Sequence, residues 1–146
     1  MYIKLTIIFA CFLLISSCGE TEHIGNKLSS PECLSSQSKC VLSTEIGEFK
    51  VAFDRAELLT ESPFQIYVVP QFPQETYVIS AHIEGKDMFM GKIPLFFKES
   101  NGELIAETML GSCSQRIMTW QMWIEITNRN SQKKVTQLIE FKSTRR

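Results

Sequence analysis

What most constrains the fold of this chain is a period of two in its apolar residues. Phe49, Val51 and Phe53 alternate with polar or small neighbours, as do Tyr77, Ile79, Ala81 and Ile83, and then Met118, Trp120, Met122, Ile124 and Ile126. Successive side chains of a strand point to opposite faces, so this spacing describes half-buried strands and is incompatible with an amphipathic helix. Phe64 to Val69 is apolar enough for a central strand, and Pro70 and Pro73 then stop it, because proline cannot donate to a ladder. Ile93 to Lys98 and Glu103 to Leu110 flank Asn101-Gly102, a pair suited to the positive φ angles of a tight hairpin, so these two strands are expected to pair antiparallel. Ile117 to Thr127 and Val135 to Phe141 form a second expected hairpin around Asn128 to Gln132. Only Arg55 to Leu59 reads as a turn of helix. Seven or eight short strands at intervals of about ten residues predict an all-β, immunoglobulin-like antiparallel sandwich.

The first eighteen residues have a different character. Lys4 precedes an apolar run from Leu5 to Ile15 that only Thr6 interrupts. A helix of that length reaches about 16 Å at 1.5 Å per residue, roughly half of a bilayer's hydrocarbon core, so the run reads as the core of a signal peptide and not as a span. It ends in Leu14-Ile15-Ser16-Ser17-Cys18, which resembles the bacterial lipobox. That resemblance implies cleavage after residue 17 and lipid on Cys18. It implies a cell-envelope protein facing the periplasm and held to a membrane by its acyl chains, with Gly19 in place of Asp favouring the outer membrane. Residues 1–17 are thus the leader. Residues 18–38, poor in large apolar side chains, read as a flexible tether carrying His23, and residues 39–146 as one sandwich domain.

With a formal charge of −1, from 15 basic and 16 acidic residues, nothing suggests nucleic acid, which would call for a clustered basic face. Lys133-Lys134 and Arg145-Arg146 read as a solvated turn and a terminus. No Gly-x-Ser-x-Gly, His-Glu-x-x-His or Cys-x-x-Cys pattern is present, so an enzyme is not expected.

With Cys18 lipidated, Cys33, Cys40 and Cys113 remain for an oxidising compartment. Cys33 and Cys40 are close across a small, flexible segment and are the expected disulfide. Pairing of one of them with Cys113, or metal binding by both, is the alternative. If they pair, Cys113 is left as a thiol among Met88, Met90, Met109 and Met118. Thiolate and thioether sulfur is the donor set that selects Cu(I) over harder ions, and Met88 and Met90, one residue apart, would point to one side of an extended backbone. Core packing is the competing role for each methionine. His82 falls on the polar parity of its strand, facing solvent or the site. Trp120 and Trp123 fall on opposite faces, so the outer one is a candidate partner contact.

Asp87-Met88-Phe89-Met90-Gly91-Lys92-Ile93-Pro94, followed by Leu110-Gly111-Ser112-Cys113 and Met118-Thr119-Trp120, resembles the small periplasmic sandwich proteins of the YtkA-like and FixH-like group. The resemblance covers roughly residues 63–127. It implies copper handling and maturation of respiratory oxidases, with a copper-receiving envelope protein as partner. Cys113 stands where many relatives have methionine or none, and no histidine adjoins the Met-x-Met pair. The expectation is a Cu(I) site of Met88, Met90, Cys113 and Met118; a metal-free envelope interaction module is the alternative.

Overall fold

The computed structural model describes residues 39–72 and 76–145. The expected leader, the lipid on Cys18, the tether with His23, and Cys33 lie outside them. Ten strands run in chain order: β1 (Lys39–Thr44), β2 (Gly47–Phe53), β3 (Leu58–Leu59), β4 (Phe64–Pro70), β5 (Tyr77–Gly85), β6 (Lys92–Leu95), β7 (Lys98–Ser100), β8 (Glu103–Thr108), β9 (Ile117–Asn128) and β10 (Lys134–Thr144). They form two five-stranded sheets, β1-β2-β4-β8-β7 and β3-β10-β9-β5-β6. The described residues are all-β, with ten strands rather than the seven or eight expected.

The alternation decides which face of each strand is covered. Phe49, Val51 and Phe53 of β2 are buried, and so are Phe64, Ile66 and Val68 of β4 and the even-numbered residues from Met118 to Ile126 of β9. One apolar cluster takes side chains from both sheets. Phe49 of the first sheet meets Tyr77 of the second edge to face at 4.9 Å, and Phe53 meets Phe141 at 5.1 Å, within the range in which aromatic pairs attract beyond their buried area. Trp120 lies wholly inside, and its indole N–H donates to the hydroxyl of buried Ser143 at 2.8 Å, so neither polar atom is stranded.

The second expected hairpin is present, and of the first the turn and the strand that follows it. β7 and β8 pair across Asn101 (φ 50°) and Gly102 (φ 82°), the two positive φ angles such a turn requires. β9 and β10 pair over eleven positions, from Lys134 opposite Thr127 to Thr144 opposite Ile117.

Two expectations are corrected. Ile93 to Lys98 is not one strand. Its first half, β6, pairs with β5 in the second sheet; the chain then crosses, and β7 pairs with β8 in the first. Pro94 is tolerated because β6 is an edge strand. Arg55 to Leu59 forms no helical turn. Leu58 is buried and Leu58–Leu59 runs parallel to the end of β10, at Ser143–Thr144.

Candidate metal centre

The ends of β5, β8, β9 and β10 converge at one end of the molecule. Gly85 closes β5 opposite Trp120, and Lys86 N–H donates to the Thr119 carbonyl at 3.0 Å, so the segment after β5 leaves beside the start of β9. That segment then turns so sharply that the Met88 carbonyl occupies the space a Cβ on residue 85 would need. Only glycine permits the turn.

Met90 is held by two glycines. Its Cγ lies 3.4 Å from the position a Cβ would take on Gly85, and its Cε 3.3 Å from the corresponding position on Gly111. The sulfur, bonded to both carbons, is therefore seated between the strand end at Gly85 and the segment that follows β8. Gly91, at φ 73°, turns the chain into β6. Met88 and Met90 are both half-buried against the core, whereas Phe89 between them is 94 % exposed. With Met88 and Met90 turned to the core, the residue between them is turned outward, and its exposure forgoes about 1.5–3 kcal/mol of burial.

Leu110 is fully buried and its carbonyl accepts from Glu61 N–H at 2.9 Å, which fixes the approach to Cys113. Cys113 is the free cysteine among the described residues and is half-buried. Its Sγ lies 3.0 Å from Sδ of Met118 and accepts from Gln115 N–H at 3.3 Å. Arg145, just past β10, straps this loop from behind. Its guanidinium donates to the carbonyls of Cys113 at 3.1 Å and Ser114 at 3.5 Å, and its backbone N–H to that of Arg116 at 2.8 Å. Cys40 is buried in β1 and is not a free thiol, so it does not join the sulfurs; its expected pairing with Cys33 involves a residue outside the described ones.

Of the four proposed ligands, Cys113 and Met118 are thus in direct contact. Met90 is seated against Gly111, two residues before Cys113. Met88 contributes a half-buried side chain on the same short segment. Metal–sulfur bonds near 2.3 Å put two tetrahedral ligands of one ion about 3.8 Å apart, so the Cys113–Met118 pair would need to part by about 0.8 Å to share a metal. Met118 is 4 % exposed and faces the core, so an ion would enter from the Cys113 side. Met109, half exposed, is not drawn in. Among the described residues there is no group of three or more His, Cys, Asp or Glu that could hold a metal ion.

The other candidates lie elsewhere. His82 is on the outer face of the second sheet, lining a shallow groove with Trp123 and Glu125. Trp123 is only half-buried, and its indole N–H donates to Glu84 at 2.8 Å, which braces it against the sheet. Sequence reasoning passed over Gly85 and Gly111 as a seat for Met90, Arg145 as a strap, and Phe89 as the most exposed aromatic of the described residues. The glycines at both ends of Gly85-Lys86-Asp87-Met88-Phe89-Met90-Gly91 were the available signal.

No family profile matches the chain, and no curated protein is significantly similar in sequence. Solved structures with a similar fold include a DUF4785 family protein from Legionella pneumophila, with a TM-score of 0.51 at 12 % identity. The match covers 70 % of this chain but only 29 % of that one. A DUF4426 family protein from Pseudomonas aeruginosa PAO1 has a TM-score of 0.48 at 13 % identity, covering 74 % and 94 % of the two chains. A copper-bound variant of FetP from uropathogenic Escherichia coli strain F11 has a TM-score of 0.45 at 10 % identity, covering 73 % and 90 %. The Legionella likeness speaks for the fold alone, and the other two are too distant to carry any argument.

Proposed function

We propose that this chain is a lipid-anchored envelope protein, an immunoglobulin-like sandwich facing the periplasm, that binds Cu(I) and carries or delivers it. Oxidase maturation or copper tolerance is the setting that the sequence resemblance suggests. The reading is carried by one observation, the contact at 3.0 Å between Cys113 Sγ and Met118 Sδ, with Met90 seated against Gly111, two residues before Cys113. A thiolate with two or three thioethers suits a soft monovalent ion. It supplies no general base or labile water, which fits transfer between proteins better than catalysis. The lipid on Cys18 and a Cys33–Cys40 disulfide belong to the same proposal.

The test is anaerobic Cu(I) loading of the purified protein, with affinity measured by competition against a Cu(I) chelator. About one ion per chain is expected. A Cys113→Ser, Met90→Leu double variant should bind at least about a hundredfold more weakly, a difference of roughly 2.8 kcal/mol. Unchanged affinity in that variant would defeat the reading. The alternative, a metal-free module that docks to an envelope protein, draws on the exposure of Phe89 and requires that no ion be bound at all.

A further inference from the structure

Three apolar side chains stand exposed around the sulfur cluster. Phe89 is 94 % exposed between Met88 and Met90, Ile117 is 56 % exposed next to Met118, and Met109 is 50 % exposed at the end of β8, two residues before the glycine that seats Met90. They come from two stretches of chain, residues 85–92 and 109–117, that the fold brings to one end. The contacts of Met90 with Gly85 and Gly111, of Lys86 with Thr119, and of Cys113 with Met118 hold those stretches together. The charges interleaved with them are unbalanced. Residues 85–92, 109–117 and 145 carry exposed Lys86, Lys92, Arg116 and Arg145 against exposed Asp87, joined by exposed Glu61, whose N–H donates to the Leu110 carbonyl. Lys86 and Lys92 lean on Glu140 and Glu84 at 2.8 and 3.8 Å, whereas Arg116 and Arg145 meet no carboxylate among the described residues.

We propose that this end of the molecule is the docking face for an acidic protein domain that presents its own methionine or cysteine sulfur and takes the copper by ligand exchange, with Phe89 as the apolar anchor. The proposal rests on the Cu(I) reading of the site and names the partner's chemistry. Only a partner that brings soft ligands within bonding distance can accept Cu(I) without releasing it to water. Any such partner meets Phe89 first, because Phe89 stands between two ligands and projects beyond them. Aromatic and arginine side chains are the residue types that carry binding energy at interfaces, and unlike charges set the rate of encounter. A membrane would satisfy the same charges, but it offers no sulfur and would cover the route by which the ion enters and leaves.

The experiment uses the full-length protein in detergent, loaded with Cu(I) under anaerobic conditions, and two fluorophore-labelled acceptor peptides. Both peptides carry the same Cys and Met residues; one is flanked by glutamates and the other by lysines. Copper transfer is followed by fluorescence quenching. At low salt the acidic peptide is expected to be loaded about tenfold faster than the basic one, and the preference should shrink as salt screens the charges. Phe89→Ser and Arg116→Glu should each slow loading of the acidic peptide at least about threefold while leaving Cu(I) affinity unchanged. Equal rates for the two peptides, with copper bound normally, would overturn the docking face and leave the copper site standing. Failure to load copper at all would instead remove the site itself. If phosphatidylglycerol vesicles shield the ion from both peptides and phosphatidylcholine vesicles do not, the face belongs to a lipid surface and the proposal is wrong.

Discussion

Lys86, the first residue beyond β5, sets where the methionine segment begins, and its side chain is fixed by Glu140 of β10. The Glu140 carboxylate accepts from Lys86 Nζ at 2.8 Å and from Gln121 Nε2 at 2.9 Å. Those two hydrogen bonds, that from Lys86 the larger, hold the Glu140 pKa below its ordinary 4.5 against the opposing effect of burial. A carboxyl with a folded-state pKa below its unfolded value stabilises the fold at pH values above the unfolded pKa, and that contribution is lost as pH falls through the folded one. Wild type should therefore be more stable than Glu140→Gln at pH 7. The two should converge as pH drops below 4.5, which urea midpoints measured from pH 7 to pH 3 will check. A constant gap across that range would mean that the substitution acts through packing and not through charge.

Among the elements, the strands were legible in the sequence because alternation records which face is covered, and every residue from Met118 to Ile126 kept the parity its spacing announced. Which sheet a strand joins was not legible. From Lys92 to Lys98 odd-numbered residues are the more buried throughout, so the crossing between sheets at Phe96 and Phe97 leaves no trace in the period. The site was legible to the same degree. Parity turned Met118 inward and put Met88 and Met90 on one side, but the contact of Cys113 with Met118 depends on how residues 114–117 loop back, and no period governs a loop. The seat for Met90 was hidden for a related reason: a glycine's value there lies in the atoms it leaves room for, and those come from distant sequence. Gly85→Ala tests the seat. Its Cβ would meet the Met88 carbonyl and force the backbone of the turn to shift, so Cu(I) affinity should fall at least about tenfold, or about 1.4 kcal/mol. Gly111→Ala, where only the flexible end of Met90 must give, should fall less. Equal losses in the two, read by the same chelator competition, would count against the seat.

At the scale of the whole molecule, the Cys113–Met118 contact and the seating of Met90 against Gly111 join parts that the ladders alone leave separate. Met118 belongs to β9 in the second sheet, Cys113 to the segment that brings the chain from β8 in the first sheet to β9, and Met90 to the connection between β5 and β6. Arg145, just past β10, reaches the same place, hydrogen-bonded to the carbonyls of Cys113, Ser114 and Arg116. An ion held by three such stretches would cross-link the fold in its native state and have no equivalent site in the unfolded chain, so its binding free energy adds to stability. One site with free Cu(I) at a hundred times its dissociation constant contributes about 2.7 kcal/mol, which for a body of about a hundred residues raises Tm by roughly 10 °C. Anaerobic thermal unfolding with and without Cu(I) should show that rise in wild type, a small fraction of it in Cys113→Ser, and nearly all of it in Phe89→Ser, whose side chain lies outside the ligand set. A rise that survives Cys113→Ser would place the copper somewhere other than at this cluster. The absence of any rise in wild type, despite stoichiometric binding, would mean that the unfolded chain, in which Cys113 and Met118 stay only five residues apart, holds the ion as well as the folded one, and that Met90 adds nothing to the native site.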